Sequence, residues 1–221
     1  NLQEKIEAIG CEFKSIPIMR NGLNPFQDIK LFLSILKIMK KFQPDIVLAY
    51  TIKPIIWGGL AARFSGVAKF NALVTGLGFA FQKGGIKRNI LTNLVKQLYR
   101  TALKNSFSVI FQNNDNLNEF VDHRIISKCK AFVVDGSGVN LEKFAQENFP
   151  DTSTIRFITI GRLLGEKGFR EYYAAAKIVK NKYPNVSFDL VGPLDPSPDG
   201  IPEKEVQNWH KFGVVNYLGY A

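Results

Sequence analysis

The chain has 221 residues, of which 46% are hydrophobic, and it carries a formal net charge of +10. This size and apolar content suffice for one good core or two small ones. Its longest apolar stretches fall short of the roughly 18 residues that a membrane-spanning helix needs. The sequence also holds no clustered metal ligands, P-loop or nucleophile-elbow motif.

The positive charge is unevenly distributed. No acidic residue occurs between Asp45 and Asp115, while nine lysines and arginines do. A field of one sign attracts phosphates, nucleic acid or an anionic lipid surface. Cys11 and Cys129 lie far apart in unlike surroundings, so we expect free thiols in a reducing compartment. With no export leader, a cytoplasmic protein is expected, with peripheral binding to the inner face of the cell membrane as an option.

Apolar β-rich runs alternate with helical patterns in chain order. Helices are predicted over residues 2–9, 25–42, 54–65, 88–104, 113–121, 168–182 and 203–210. Strands are predicted over residues 12–18, 45–49, 69–74, 108–112, 131–134, 155–160, 186–191 and 214–218. This alternation predicts an α/β fold with parallel sheets. A polar stretch at 145–154 divides it into two domains, 1–148 and 149–221.

The ends of this pattern are unusual for open parallel domains. Such a domain normally starts with a strand whose following loop binds ligand, whereas this chain starts on a helix. The second domain stops after its third strand. We therefore expect a fragment, with the first strand of domain one missing and domain two truncated.

Three glycine-containing loops follow predicted strands, where ligands bind in open α/β sheets. The first holds Gly161, Arg162, Lys167 and Gly168 ahead of a helix, and two cations at a helix N-terminus suit a diphosphate. A tight turn with solvated charges explains the same residues. The other two loops contain the following residues: Asp135, Gly136, Ser137, Gly138, Val139 and Asn140 in one; Thr75, Gly76, Leu77 and Gly78 in the other. The glycines of the former could let a ligand approach the backbone closely, and the latter could cover an acceptor. Each loop is equally compatible with an ordinary connection between elements.

The helix predicted at 88–104 has an apolar stripe that includes Ile90, Leu94, Val95 and Leu98. A basic amphipathic helix can lie on an anionic membrane. The same stripe is also typical of the core side of a crossover helix. Both interpretations stay open on the pattern alone.

Several motifs together resemble glycosyltransferase family 4. They are, in chain order, TIKP from Thr51, TGLG from Thr75, VNLEKF from Val139 after Gly136 and Gly138, GRL from Gly161 with Lys167 and Gly168, Tyr183 with Pro184, and LVG ending at Gly192. The first two resemble a branch that adds N-acetylhexosamines or related sugars to polyprenyl-diphosphate-linked glycans.

The resemblance implies a GT-B fold of two Rossmann-like, doubly wound domains. It implies retaining, metal-independent transfer from a UDP-sugar, without a cofactor, to a lipid-linked glycan. Arg162 and Lys167 would bind the diphosphate as catalytic residues. The donor site would also include Gly136, Ser137, Gly138, Val139, Gly161 and Gly192. Lys53, Thr75, Gly76 and Gly78 would lie on the acceptor side.

The sequence departs from the family pattern in two respects. Many relatives have a histidine or aspartate near the position of Thr75, so no base is assigned here. The family's paired glutamates would lie beyond Ala221 and its first glycine loop before Asn1, so little activity is expected from this chain alone. The alternatives are a UDP-sugar epimerase of the same architecture and a basic nucleic-acid-binding module. The second lacks the interleaved aromatic residues of a base-stacking platform.

Overall fold

A computed structural model describes residues 2–19, 24–77, 81, 85–149, 154–197 and 199–220, with Lys87 described by its backbone alone. The chain forms two compact units, Asn1–Phe144 and Ala145–Ala221. The sequence-based boundary lies four residues further along, between 148 and 149.

The first unit alternates helices and strands over most of its length. Its described helices are α1 Leu2–Ala8, α2 Pro25–Phe42, α3 Ile52–Ser65, α4 Ile86–Leu103 and α5 Asn114–Asp122. Its described strands are β1 Ile46–Tyr50, β2 Lys69–Val74, β3 Ser108–Phe111 and β4 Ala131–Val133. The strands form one parallel sheet in the order β1-β2-β3-β4, so the chain moves one strand along at each crossover.

Local sequence signals set the limits of these helices. The Asn24 side chain accepts a hydrogen bond from the Gln27 N–H at 3.3 Å, and Pro25 occupies the first position of α2. Both features are typical of a helix start. The helix α3 ends at Gly66, whose φ of 78° places it in the left-handed region, which glycine adopts without a steric penalty.

One face of the first sheet is buried against helices. Alternate residues of the inner strands, among them Phe70, Ala72, Val74, Val109 and Phe111, are at most 3% exposed. On the edge strand β1, in contrast, Ile46, Leu48 and Tyr50 are 53–62% exposed. Alternation along a strand sends these side chains to the opposite face. The described residues thus leave that face of β1 open.

The second unit has a smaller core. Its strands β5 Arg156–Ile160, β6 Ser187–Val191 and β7 Asn216–Tyr217 form a parallel sheet in that order. The helices α6 Phe169–Lys182 and α7 Glu203–Lys211 connect them. Phe169, Phe188, Leu190, Val206 and Trp209 are buried together. The third strand of this unit, predicted over residues 214–218, is limited to Asn216–Tyr217 in the structure.

The strand predicted at 12–18 is wrong. Those residues carry no regular secondary structure, and the segment pairs with none of the described strands. Ile16 nevertheless packs against the core. A strand exists only where a neighbour completes its hydrogen-bond ladder, and an alternating pattern cannot supply that neighbour.

Candidate functional site

The loop between β5 and α6 is the most developed candidate site in the second unit. It leaves the sheet at Gly161, makes a 3₁₀ turn over Gly165–Lys167 and enters α6 through Gly168, whose φ is 78°. Arg162 and Lys167 are both exposed on it. The first-turn N–H groups of a helix lack intrahelical partners and favour anions. The loop therefore presents two cations beside a helix N-terminus.

The segment from Pro193 to Ile201, after β6, holds this loop in place. The Leu163 N–H donates to the Pro193 carbonyl at 3.0 Å, and the Ile201 N–H donates to the Leu163 carbonyl at 2.9 Å. Asp199 accepts the Gly165 N–H at its backbone carbonyl and the Glu166 N–H at its carboxylate, at 2.8 and 3.0 Å. The conformation of the loop after β5 is therefore fixed by hydrogen bonds to the segment that follows the neighbouring strand β6.

Arg162 forms an ion pair that the sequence reasoning missed. Its Nη1 donates to Asp195 Oδ2 at 3.0 Å, and the Asp195 side chain is only 6% exposed. Hydrogen bonds from the side chain and backbone N–H of Ser197, together with the charge of Arg162, hold the pKa of Asp195 below its ordinary value. The sequence did contain a signal for this pair, the Asp-Pro-Ser turn that follows β6. Because β5 and β6 are parallel neighbours, the loops that follow them lie at the same edge of the sheet.

Lys167 differs from Arg162 in its surroundings. Within the part of the chain that the structure describes, its ammonium has no hydrogen-bond or ion-pair partner. An exposed, unpartnered ammonium is available to a phosphate oxygen. The two residues predicted to bind the diphosphate thus differ: the Arg162 guanidinium is held by a carboxylate, whereas the Lys167 ammonium contacts no partner among the residues that the structure describes.

Gly161 and Gly192 meet where β5 and β6 end. A Cβ added to Gly192 would overlap the carbonyl oxygen of Gly161, whereas a Cβ at Gly161 would meet only the Phe169 ring at 3.5 Å. The Gly161 N–H donates to the Val191 carbonyl at 3.0 Å. Gly192 is therefore required for the close approach of two backbones.

The Gly136 to Val139 loop belongs to the first unit and follows β4. Gly136 and Gly138 have φ values of 77° and 68°, which glycine tolerates best. Ser137 Oγ accepts a hydrogen bond from Gln112 Nε2 at 2.9 Å. Val139 is 60% exposed. The loop is thus an exposed turn tied to the end of β3.

The predicted acceptor-side residues follow β1 and β2. Because all four strands of that sheet are parallel, these residues share one sheet edge with the Gly136 loop. Lys53 does not extend freely there, since its Nζ donates to Asp28 Oδ1 on α2 at 2.9 Å. Thr75 is partly buried and Gly76 exposed, while Gly78 lies outside the described residues.

Thr51, directly after β1, has a φ of 71°. A β-branched residue rarely adopts that region, and such strained positions concentrate at functional sites. Among the described residues no group of three or more His, Cys, Asp or Glu side chains could hold a metal ion. Likewise, none of the helices described is long and apolar enough to cross a bilayer.

Residues 1–113, half of the chain, match the Glycosyl transferase 4-like family. The chain belongs to this family. The resemblance drawn from the motifs is thereby confirmed.

Two curated proteins are similar to the chain. One is the N,N'-diacetylbacillosaminyl-diphospho-undecaprenol alpha-1,3-N-acetylgalactosaminyltransferase of Campylobacter jejuni, 29% identical, with 98% of this chain and 58% of that protein aligned. The other is the UDP-Gal:alpha-D-GlcNAc-diphosphoundecaprenol alpha-1,3-galactosyltransferase of Escherichia coli, 29% identical over 80% of this chain and 48% of that protein. The chain thus spans about half the length of these relatives.

Among solved structures, an alpha,alpha-trehalose 6-phosphate synthase from Burkholderia multivorans aligns with a TM-score of 0.63 at 13% identity. The alignment covers 90% of this chain and 53% of that one. At this identity the likeness is one of fold, and it confirms the predicted GT-B class of α/β architecture.

Proposed function

We propose that this protein transfers a sugar, an N-acetylhexosamine or a hexose, from a UDP-sugar to a polyprenyl-diphosphate-linked glycan. The single observation that carries the proposal is the β5–α6 loop, which exposes Arg162 and Lys167 beside the N-terminus of α6. The names of the two curated relatives, both transferases with undecaprenyl-diphosphate-linked acceptors, support the substrate class.

The chemistry follows from where charge develops. As the bond between the sugar and UDP breaks, negative charge accumulates on the diphosphate. Cations and N–H dipoles that are already aimed at those oxygens stabilise the transition state more than the ground state. Arg162 and Lys167 would supply this charge without a metal ion, and the sugar would be transferred with retention of its configuration.

The test is a transfer assay with the complete product of the reading frame that encodes this chain. Radiolabelled UDP-sugars are offered with a polyprenyl-diphosphate-linked acceptor. Arg162→Ala and Lys167→Ala should each lower the transfer rate by about 10²–10³-fold, the usual loss of one oxyanion-stabilising group. Lys177→Ala removes an exposed lysine inside α6, whose ammonium lies 6.0 Å from the centre of the Tyr173 ring, and should stay within about twofold of wild type, since exposed charge contacts contribute little.

Unchanged kinetics in both Arg162→Ala and Lys167→Ala would contradict the diphosphate role. Incubation with the donor alone separates transfer from the alternative reaction class. Conversion of UDP-N-acetylglucosamine to an epimer without acceptor would replace the transferase proposal with an epimerase.

We also propose that α4 touches the membrane that carries the acceptor. Ile86, Ile90 and Leu94 are 54–81% exposed and lie four residues apart along one side of the helix. Val95, Tyr99 and Ala102 occupy the buried side. The predicted apolar stripe is therefore divided between core and solvent.

Two cations of α4 are engaged by the protein, since Lys96 pairs with Glu119 at 3.3 Å and Arg100 donates to the Arg124 carbonyl at 3.0 Å. The contact would thus rest on aliphatic insertion more than on attraction to anionic lipid. Co-sedimentation with phosphatidylglycerol vesicles tests this idea. Ile90→Asp should reduce binding, while Asn89→Asp, at an exposed position about 100° around the helix from Ile90, should change it less. Equal binding by all three proteins would contradict the contact.

A further inference from the structure

Asp195 is anchored more firmly than the arginine it contacts. Its Oδ1 accepts the Ser197 backbone N–H at 2.9 Å, and its Oδ2 accepts the Arg162 Nη1 at 3.0 Å. Pro196, which lies between Asp195 and Ser197 in the sequence, restricts the backbone of this turn. The carboxylate is thus an anchored group that engages one corner of the guanidinium.

Arg162 has little else to define its position. Its side chain is 65% exposed. Among the residues that the structure describes, Asp195 is the only one whose side chain bonds to the guanidinium. Five N–H donors of a guanidinium form a rigid fork, so holding one corner orients the remaining edge.

We propose that Asp195 is a positioning residue for sugar transfer, which holds Arg162 Nη1 so that the other donors of the guanidinium meet the departing diphosphate. The inference rests on the proposed function and deepens it by adding a residue to the donor site. It assigns Asp195 no direct contact with the reacting atoms. The whole arrangement lies within the second unit.

The proposal makes a distinctive prediction because the carboxylate has two opposing effects. Its negative charge would lie near a diphosphate held by Arg162 and would weaken binding of the intact donor. Its grip on Arg162 prevents the guanidinium from drifting away as charge builds up on the leaving group. Removing the charge should therefore slow the chemical step without weakening donor binding.

The experiment measures kcat and the donor KM in the transfer assay described above. Asp195→Asn keeps an acceptor for the Ser197 N–H, and we expect its kcat to fall about 10-fold. Asp195→Ala also loses that hydrogen bond and should fall about 100-fold. In both variants the donor KM should be equal to or lower than that of wild type. A raised donor KM with an unchanged kcat would overturn the proposal, since it would make Asp195 a binding or folding residue.

A matched control comes from another ion pair of the same unit. Glu205 accepts from Arg170 Nε and Nη2 at 2.8 and 2.9 Å, so this pair holds an arginine other than Arg162. Glu205→Gln removes an equivalent carboxylate from an arginine and should leave kcat within about twofold of wild type.

A double-mutant cycle separates positioning from a general structural role. In an Arg162→Ala background, Asp195→Asn should not lower kcat further, because the group that it positions is gone. The same 10-fold loss in both backgrounds would overturn the proposal. Arg162→Lys tests the pair from the other side, since an ammonium cannot bridge Asp195 and the diphosphate as a fork does. A wild-type kcat in Arg162→Lys would also overturn it.

The outcomes also distinguish this inference from the proposed function. If Arg162→Ala transfers sugar normally, the diphosphate role itself is wrong. If Arg162→Ala is impaired while Asp195→Asn has wild-type kcat, only the positioning role is wrong. Thermal unfolding of each variant establishes that the compared proteins are folded.

Discussion

Lys53 on α3 and Asp28 on α2 form an ion pair with an N–O distance of 2.9 Å, and their side chains are only 14% and 12% exposed. The contact joins two helices that pack against each other. It lies next to Thr51, in the first turn after β1. The lysine predicted for the acceptor side is therefore already engaged by a carboxylate.

The first prediction concerns this pair. Asp28→Asn should destabilise the protein by about 1–3 kcal/mol, because the half-buried Lys53 ammonium loses its counter-charge. Urea unfolding followed by circular dichroism measures the change. Glu12→Gln removes the partner of Lys14 in an exposed pair and should change stability by less than about 0.5 kcal/mol. An Asp28→Asn protein as stable as wild type would mean that Lys53 is effectively solvated.

The second prediction uses two adjacent glycines of α3. A Cβ at Gly59 would lie 2.7 Å from the Ala102 carbonyl oxygen on α4, whereas a Cβ at Gly58 would meet the Phe70 ring at 3.6 Å. Gly59→Ala should therefore cost about 1–3 kcal/mol by forcing the helices apart. Gly58→Ala should be neutral or stabilise by up to about 1 kcal/mol, since alanine is the better helix former. Equal effects in urea unfolding would argue against close α3–α4 packing.

The third prediction concerns the two glycines at the ends of β5 and β6. Gly192→Ala should unfold the second unit or yield insoluble protein, because its methyl group overlaps the Gly161 backbone and has nowhere to move. Gly161→Ala should remain folded with a small loss of stability. Soluble yield and thermal unfolding measure both variants. A well-folded Gly192→Ala protein would show that the strand ends are further apart than described.

The fourth prediction is a pH dependence. Burial by itself raises the pKa of Asp189, but hydrogen bonds from Asn216 and Arg156 outweigh it, so the pKa lies below the ordinary value. The Arg156 Nη2 to Asp189 Oδ2 distance is 2.6 Å. A depressed folded pKa contributes stability above the unfolded value of about 3.9, and this contribution is lost as pH falls through the folded pKa.

Asp189→Asn should therefore be less stable than wild type by about 1–3 kcal/mol at neutral pH. The difference should shrink as pH falls below about 4, because the unfolded wild-type chain takes up a proton at Asp189 there before the folded protein does. Urea unfolding at pH 7 and pH 3 gives the comparison. If the two proteins differ in free energy of unfolding by the same amount at pH 7 and pH 3, the charge of the carboxylate does not contribute to stability.

The spacing of apolar residues predicted most helices and strands to within about two residues of their ends. It does so because a buried face of a helix or strand requires apolar residues at regular intervals. The helix α3 begins at Ile52 and not at Pro54, since proline is accepted anywhere in a first turn, where its missing N–H has no role. The strand predicted at 12–18 is wrong for a different reason. Its pattern is strand-like, but pairing depends on a neighbour that no local window contains.

The candidate loop could be found from the sequence, whereas its partners could not. Glycines, Arg162 and Lys167 between a strand and a helix are a local signal. Asp195 lies 33 residues from Arg162, and Asp28 lies 25 residues from Lys53. Contacts over such separations depend on the order of the strands and on the path of the crossovers. Local sequence patterns do not reveal which distant side chains these bring together.

The segment from Pro193 to Ile201 is bonded to the Arg162 loop at both ends and through Asp199 between them. Its number of residues is therefore as constrained as its composition: one inserted residue would shift every later hydrogen bond out of register. An engineer who grafts a new donor preference onto this scaffold should exchange the two loops as a single cassette.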